Sequence, residues 1–372
     1  MKYEELIELK KRIDFNLTEP EVLVKLIESA RQRGEEVKGS LARFRQLSMK
    51  IANFLYEKGF IIKEDALKDI ELFEKRAIGI DGSFQVVGGT GGIWYAPISV
   101  ARVLFENGLH SKSKVDVYWA DIEVIIEKGE SNPEKDASQK MLVAETKAIF
   151  NWCTRDESSF IFIDGPVVDP PFGSSEDYIK FRCEAIKKCL DKSIMIGCVK
   201  RSRDKFFIEH IKAQFTDIEQ DVRNALDDFL TDQHIMLFVF AHIRRKEQYN
   251  GPLFTKWIDL SSVNDIYKAY KECGVHIISL FFQKSLASPV LRLDIPLLDP
   301  SDKDHKVQEI VLQAVKAVNS WIYPGQEYPL PVMLAHEKCK IREGCAQVLY
   351  EEIITKGYVT GELEQLVLSQ IR

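Results

Sequence analysis

Two apolar runs of this sequence each end in Asp-Gly. Residues 78–82 read IGIDG and residues 161–165 read IFIDG, which places Asp81 and Asp164 after strand-like segments. Asp-Gly alone is typical of a turn, but an acid that follows a buried strand of an open α/β sheet lies at the edge where ligands bind. Because two such carboxylates on neighbouring strands would repel one another, the pair predicts a divalent cation between them.

A third acid lies on the helix predicted between the two runs. Glu145 shares one helical face with Met141, Ala148, Ile149 and Trp152. A carboxylate on an apolar stripe is paired, coordinated to a cation or at the edge of the stripe, and an ion pair with a nearby Lys or Arg accounts for it equally well. If the helix packs on the sheet, Glu145 points toward the two aspartates. Three hard oxygen ligands favour Mg²⁺ or Mn²⁺ over zinc, and such a site can generate hydroxide and stabilise in-line phosphoryl displacement.

The C-terminal third of the chain adds a candidate histidine. Pro331 can begin a helix, which places His336 about a turn and a half inside it. A lone helical histidine is most commonly structural. A neutral imidazole is nevertheless suited to bind a metal or to move a proton.

Two clusters of basic residues are candidate contacts for a nucleic-acid backbone. Such side chains contact phosphates without reading sequence, although a solvated turn is the commoner role of a basic run. The formal charge is −6, from 51 Lys and Arg against 57 Asp and Glu, so a DNA-handling protein must concentrate positive charge locally. The first cluster is Lys200, Arg201, Arg203 and Lys205, and the second is His242, Arg244, Arg245 and Lys246.

The composition bounds the class of protein. Of 372 residues, 45% are hydrophobic and 29% are charged, which excludes wholesale disorder and a polybasic coat protein. The seven cysteines include no CxxC spacing, which predicts free thiols rather than a zinc site. The charged N-terminus lacks the apolar stretch of a signal peptide, and no run approaches the ~18 apolar residues of a membrane span. We therefore expect a soluble protein of the cytoplasm with no membrane partner.

The predicted elements place the candidate residues in one α/β domain. Three strands joined by turn signals are followed by helix, strand, helix and strand, which predicts a mixed sheet with helices packed on it and is the order of a ribonuclease H-like core. The expected strands are 77–80, 93–105, 115–126, 160–163, 194–199, 235–240, 276–282 and 290–295, and the expected helices after the first strand are 133–154, 176–190, 305–321 and 332–350. We divide the chain into an N-terminal helical arm (1–75), a ribonuclease H-like domain (76–350) with an inserted or extended region at about 205–275, and a C-terminal helical tail (351–372).

The ordered set of motifs resembles the NurA nuclease family. The resemblance rests on the Asp81 motif DGS, Glu145, the Asp164 motif DGP, and Tyr328 followed eight residues later by His336. It spans about residues 76–340 and implies a ribonuclease H-like fold. It further implies a homodimer that uses Mn²⁺ (or Mg²⁺) to degrade single- and double-stranded DNA together with HerA, a hexameric DNA-translocating ATPase, in end resection.

The same resemblance implies roles for the matched residues. Asp81, Glu145 and Asp164 would bind the metal, and His336 would complete or support that site. Tyr328 would position a phosphate or a metal-bound water. The glutamate is the least specific assignment, because other glutamates lie upstream of position 145.

Two other classes of protein fit parts of the sequence. An actin-like or sugar-kinase-like ATPase shares the ribonuclease H topology, and the glycines at 88, 89, 91 and 92 would then contact phosphate. That segment precedes a predicted strand rather than a helix, so a glycine-rich hairpin that needs positive φ angles is the simpler account. A catalytically inactive adaptor of a DNA motor is the second alternative, and the presence of all the candidate acids argues against it.

Overall fold

The computed structural model describes residues 20–63, 75–89, 92–109, 111–127, 132–154, 158–168, 175–215, 218–298, 304–323 and 325–357. Parts of the predicted arm (1–19 and 64–74) and of the predicted tail (358–372) lie outside the described residues. The strands are β1 (Ile61–Lys63), β2 (Ala77–Phe84), β3 (Val87–Gly88), β4 (Ile93–Leu109), β5 (Lys114–Ile126), β6 (Phe160–Asp164), β7 (Ile194–Val199), β8 (Leu253–Thr255), β9 (Ile258–Asp259), β10 (His276–Gln283) and β11 (Leu291–Leu297). The helices are α1 (Pro20–Glu57), α2 (Pro133–Cys153), α3 (Glu176–Leu190), α4 (Phe206–Gln214), α5 (Gln220–Asp227), α6 (Asp232–Glu247), α7 (Asp265–Glu272), α8 (Asp304–Trp321), α9 (Leu330–Cys339) and α10 (Glu343–Gly357).

The strands form one mixed sheet whose centre has the predicted order. β5, β4 and β2 are antiparallel neighbours, and β6 and β7 then pair parallel to β2. α2 connects β5 to β6 and α3 connects β6 to β7, so the arrangement β5-β4-β2-β6-β7 is that of a ribonuclease H-like core. The prediction of a mixed α/β sheet flanked by helices is confirmed.

The sheet continues beyond β7 through antiparallel strands. β11 pairs with β7, β10 with β11, and β8 with both β10 and β1. The prediction of a strand at 235–240 is wrong, because this segment lies inside α6. Thr231 caps that helix by accepting a hydrogen bond from the His234 N–H. The helix then buries Ile235, Val239 and Ile243, which lie on one face at intervals of four residues.

The predicted helix at 332–350 is also divided, into α9 and α10. Lys340 ends α9 in an extended conformation. At the N-terminus, a single helix of 38 residues replaces the separate helical segments expected there. The C-terminal half of α1 buries Ile51 and Leu55 completely, so this part of the predicted arm packs on the core.

The sheet has a hydrophobic core on each face. Ile78, Ile80 and Ile163 face the core shared with α1, α2 and α3, whereas Ala77 and Phe162 face the core shared with α8 and α9. This alternation follows from the two-residue period of a strand.

One pair of cysteines departs from the sequence prediction. Cys153 at the end of α2 and Cys189 near the end of α3 form a disulfide, with a Cα–Cα distance of 4.9 Å. The two helices lie side by side on the same face of the sheet, a proximity that the sequence spacing does not reveal. Cys183, Cys198, Cys273, Cys339 and Cys345 are free, as expected. Among the described helices, none is long and apolar enough to cross a membrane.

Candidate metal centre

Asp81 and Asp164 lie on adjacent parallel strands and on the same face of the sheet. In the pairing of β2 with β6, Ile80 lies opposite Ile163. Because successive residues of a strand point to opposite faces, Asp81 and Asp164 both point away from the face of these isoleucines and toward α9. Asp164 ends β6 as predicted, but Asp81 lies inside β2, because β2 pairs with β4 as far as Phe84. Both carboxylates are therefore held by the sheet rather than by a turn.

A close approach of α9 brings the histidine to this pair. A Cβ atom at Gly79 would lie 2.1 Å from the carbonyl carbon and oxygen of Pro331, so only glycine permits the first turn of α9 to cross β2 here. His336 Nδ1 consequently lies 2.8 Å from Asp81 Oδ2 and 3.5 Å from Asp164 Oδ2. Donor atoms of these three residues all lie within 4.8 Å of one another.

The site is mostly buried but open on the histidine side. The side chains of Asp81 and Asp164 are 9% and 13% exposed, whereas that of His336 is 42% exposed. Burial, followed by the charge of Asp81, raises the pKa of Asp164, and Lys200 opposes that rise. The hydrogen bond with Asp81 is the main cause that raises the pKa of His336. Two close carboxylates that disfavour each other's charge form a site that a cation would stabilise.

Lys200, a predicted DNA contact, also contacts the candidate metal site. Its Nζ is 2.5 Å from Asp164 Oδ2, the oxygen that also faces His336, and 4.1 Å from the centre of the Tyr328 ring. The Tyr328 hydroxyl donates to Glu327 at 2.6 Å. Burial and this neighbouring carboxylate raise the pKa of Tyr328 to about 12. The phenol of Tyr328 therefore stays protonated at neutral pH. It can donate a hydrogen bond in the site but cannot act as a base.

A network of polar side chains fixes the backbone that carries Lys200. Gln233 Nε2 donates to the carbonyl oxygen of Lys200 at 2.7 Å, and Gln233 Oε1 accepts from the N–H of Ser202 at 2.9 Å. Arg292 donates to Asp204 at 2.6 Å from one side and forms a bidentate pair with Asp294 on the other, at 3.0 Å for both bonds. The loop between β7 and α4 is thus tied to β11 and α6, and we call residues 200–205 the cation loop.

Glu145 lies beside the three-residue cluster but not in it. It is buried on α2, and its Oε2 approaches Gly82, where a Cβ atom would lie 3.6 Å from it. Gly82 faces the α2 side of the sheet, whereas Asp81 faces the α9 side, so the two acids reach the sheet edge from opposite faces. Glu145 Oε1 is 3.7 Å from Nη2 of the fully buried Arg182.

The two basic clusters differ in exposure. Arg201, Arg203 and Lys205 are exposed on the cation loop, and Arg245 and Lys246 are exposed at the end of α6. Arg244, in contrast, is buried and donates to the carbonyl oxygen of Gln283 at 3.0 Å and to the Gln283 side chain at 3.0 Å. The structure therefore corrects the assignment of Arg244 as a DNA contact, because its guanidinium joins α6 to the end of β10. His242 is half-buried, and burial lowers its pKa.

Sequence reasoning did not assign the roles of the residues that support the site. Gln233 carries no local signal. Arg292 and Asp294 had one, because a strand that alternates Arg and Asp at positions i and i+2 places both on one face. Gly79, within an apolar strand, is also typical of a close backbone approach.

The donor set fits a hard divalent cation. Two carboxylates and one imidazole on a rigid sheet and helix are ligands that Mn²⁺ and Mg²⁺ accept. The glycine-rich segment forms the β3–β4 hairpin, with φ of +102° at Gly88 and +74° at Gly92. It does not lead into a helix, which disfavours the phosphate-binding role of the ATPase alternative.

The fold and the site place the chain in the ribonuclease H-like class. The sequence profile of the NurA domain matches residues 75–341, most of the chain, so the chain belongs to the NurA family. The crystal structure of the NurA nuclease from Sulfolobus solfataricus is similar in fold, with a TM-score of 0.58 at 14% identity, covering 92% of this chain and 100% of that one.

Two further structures align less well. Endonuclease V from Ciona intestinalis, in complex with inosine-containing DNA, gives a TM-score of 0.31 at 14% identity and covers 82% of this chain and 96% of that one. The Argonaute of Marinitoga piezophila gives 0.25 at 12% identity, covering 74% of this chain and 31% of that one. No curated protein sequence matches the chain.

Proposed function

We propose that this chain is a metal-dependent DNA nuclease that hydrolyses phosphodiester bonds of single- and double-stranded DNA. The observation that carries the proposal is the convergence of Asp81, Asp164 and His336 in a chain of the NurA family. The fold of a NurA nuclease from Sulfolobus solfataricus supports it.

The described residues suggest a division of labour. Asp81, Asp164 and His336 would hold Mn²⁺ (or Mg²⁺), and Glu145 would complete the set from the α2 side. A bound divalent ion stabilises the charge that develops on a phosphate during in-line displacement. The protonated Tyr328 hydroxyl would turn from Glu327 to donate to a phosphate oxygen, and Lys200 would contact a DNA phosphate.

DNA would approach along the edge of the sheet at which the parallel strands β2, β6 and β7 end. The exposed cations Arg201, Arg203 and Lys205 follow β7 directly at this edge. Because β10 runs in the same direction as β7, its end at Gln283, and with it α6, belongs to the same edge. Arg245 and Lys246 would extend the phosphate-binding surface there. Contacts of this kind bind DNA without reading its sequence.

We further propose that the chain acts as a cytoplasmic homodimer with a HerA-type hexameric DNA translocase, in end resection, repair or defence. Part of β5 offers an apolar surface for a second copy. Because a bulge lies opposite Val100 and Ala101, the exposed residues at both ends of the strand fall on one face of the sheet. These residues are Val115, Val117, Val124 and Ile126.

The nuclease proposal is tested with linear DNA and Mn²⁺. Asp81→Ala is expected to abolish cleavage, whereas Asp191→Ala is the matched control, since Asp191 is exposed and lies before β7 at the opposite edge of the sheet. Both variants are first compared with the wild type by circular dichroism. Wild-type protein that leaves DNA intact, with and without a HerA-type partner, would remove the basis for the proposal.

The partner proposals have separate tests. Val117→Asp combined with Val124→Asp should convert a dimer to a monomer in analytical ultracentrifugation, whereas Leu230→Asp, at a 71% exposed apolar residue on another surface, should not. For the motor, ATP should stimulate cleavage only when a HerA-type translocase is present. A wild type that sediments as a monomer, or a rate independent of ATP, would reject the respective proposal.

A further inference from the structure

We propose that Lys200 is an exchangeable counter-ion, which occupies Asp164 when no metal is bound and contacts a DNA phosphate when a metal is bound. This inference rests on the proposed function and assigns Lys200 a role in coupling metal binding to DNA binding. Its basis is geometric: the ammonium group contacts one oxygen of a carboxylate that belongs to the three-residue donor cluster.

Lys200 and a metal would compete for the same atom. Asp164 Oδ2 lies 2.5 Å from Lys200 Nζ and 3.5 Å from His336 Nδ1, so it faces both the lysine and the remaining donors. A dication bound to this oxygen would repel the ammonium group of Lys200. Lys200 must therefore leave Asp164 when a metal occupies the three-residue cluster.

The surroundings let the side chain move while its backbone stays in place. Gln233 binds both the carbonyl oxygen of Lys200 and the N–H of Ser202, and Arg292 binds the Ser202 hydroxyl at 3.2 Å. The Lys200 side chain itself is 23% exposed. The backbone of Lys200 is therefore fixed, while its flexible four-carbon side chain can place the ammonium group at two positions.

The second position lies toward the exposed part of the site. The Tyr328 ring, 4.1 Å from the ammonium group, gives the charge a favourable surface beside Asp164. Arg201 and Arg203 follow on the same loop and are exposed. A lysine released from Asp164 would join these cations and add one phosphate contact only in the metal-bound protein.

The first test measures Mn²⁺ affinity by isothermal titration calorimetry in the absence of DNA. Lys200→Met keeps the length of the side chain but removes its charge, and it should tighten Mn²⁺ binding about tenfold, the effect of one charge-assisted hydrogen bond. Arg201→Met removes an equal charge from the next residue and should change the affinity by less than about twofold, because solvent screens an exposed charge. Equal affinities in the two variants would overturn the proposal.

The second test measures binding of a fluorescein-labelled phosphorothioate oligonucleotide by anisotropy, with EDTA and with saturating Mn²⁺. In EDTA, Lys200→Met and wild type should bind within about twofold of each other, whereas in Mn²⁺ the variant should bind about tenfold more weakly. Arg201→Met should weaken binding equally in both conditions. An equal loss for Lys200→Met in both conditions would show that the lysine does not exchange.

Lys200→Gln repeats both tests in case the methionine variant does not fold. The outcomes separate this inference from the proposed nuclease function. Wild-type protein that binds Mn²⁺ and cleaves DNA, but whose Lys200 variants behave like Arg201→Met, would reject the exchange and leave the nuclease intact. Wild-type protein that neither binds Mn²⁺ nor cleaves DNA would reject both.

Discussion

The contact between β2 and α9 makes Gly79→Ala a severe test of how the site is assembled. The added Cβ atom would lie 2.1 Å from the Pro331 carbonyl group and 2.4 Å from the Val332 nitrogen. These are backbone atoms, so no side-chain rotation relieves the overlap. Since an ordinary contact begins at 3.4 Å, the first turn of α9 must retreat by about 1.3 Å in a close-packed core.

This retreat has two measurable consequences. Overpacking of this kind costs about 1–3 kcal/mol of unfolding free energy, which urea denaturation followed by circular dichroism would detect. The displacement also acts on the 2.8 Å contact between His336 and Asp81, and an error of about 1 Å in a catalytic group lowers the rate by about 10²-fold. The nuclease rate with Mn²⁺ is therefore expected to fall even at temperatures where Gly79→Ala remains folded.

Gly344→Ala is the matched control. It lies on α10, and a Cβ atom there would have no neighbour within 4 Å. We expect the unfolding free energy to change by no more than about 1 kcal/mol, and toward greater stability, because alanine is the better helix former. If Gly79→Ala matched the wild type in both stability and rate, the account of how α9 delivers His336 to the aspartates would be refuted.

Four other perturbations give distinct expectations. Because the pKa of His336 is raised from 6.5 and a metal ligand must be neutral, the calorimetric Mn²⁺ affinity should fall as the pH drops through the raised value; a His336→Gln variant with the same pH profile would contradict this. The contact between His336 and Asp81 should stabilise the protein without metal fully below pH 6.5. This stabilisation should be lost as the pH rises through the raised pKa of His336, and urea unfolding at several pH values checks it. Arg292→Met leaves Asp294 buried without its bidentate partner and should cost about 3–5 kcal/mol in urea unfolding, but much less in an Asp294→Leu background. Reduction of the Cys153–Cys189 disulfide, whose cysteines are 36 residues apart, should lower stability by about 3–4 kcal/mol, and a melting temperature insensitive to dithiothreitol would reject that value.

The parts of the fold that could be predicted from the sequence are those with an unambiguous period. The IGIDG and IFIDG runs are long enough, apolar enough and sharply enough ended to specify two buried strands, and their parallel pairing places Asp81 and Asp164 together. Residues 235–240 show the limit of the same reasoning. A short apolar run fits a buried strand and a buried helix equally well. The helix is capped by Thr231, whose hydroxyl oxygen accepts a hydrogen bond from the His234 N–H, and both residues lie outside the run.

The site was harder to predict because side-chain direction depends on contacts distant in sequence. A basic run does not show which of its members faces solvent, and in this chain Arg244 faces the core while Arg245 faces outward. Lys200 belongs by sequence to an exposed basic cluster, yet Gln233 and Arg292 hold its backbone where its ammonium group contacts Asp164. Contacts between residues more than 30 positions apart decide these cases.

The two aspartates of the site contribute to the formal charge of −6. Two carboxylates in a mostly buried cluster are tolerated because a histidine and a lysine face them. The positions of the two acids are set by the pairing of β2 with β6 and by the packing of α9, which rest on the hydrophobic cores. A site built in this way does not need its metal in order to fold. Removal of divalent ions should therefore abolish cleavage and lower the melting temperature only by the free energy of metal binding, leaving the chain folded, whereas in a structural zinc site the loss of metal unfolds the chain.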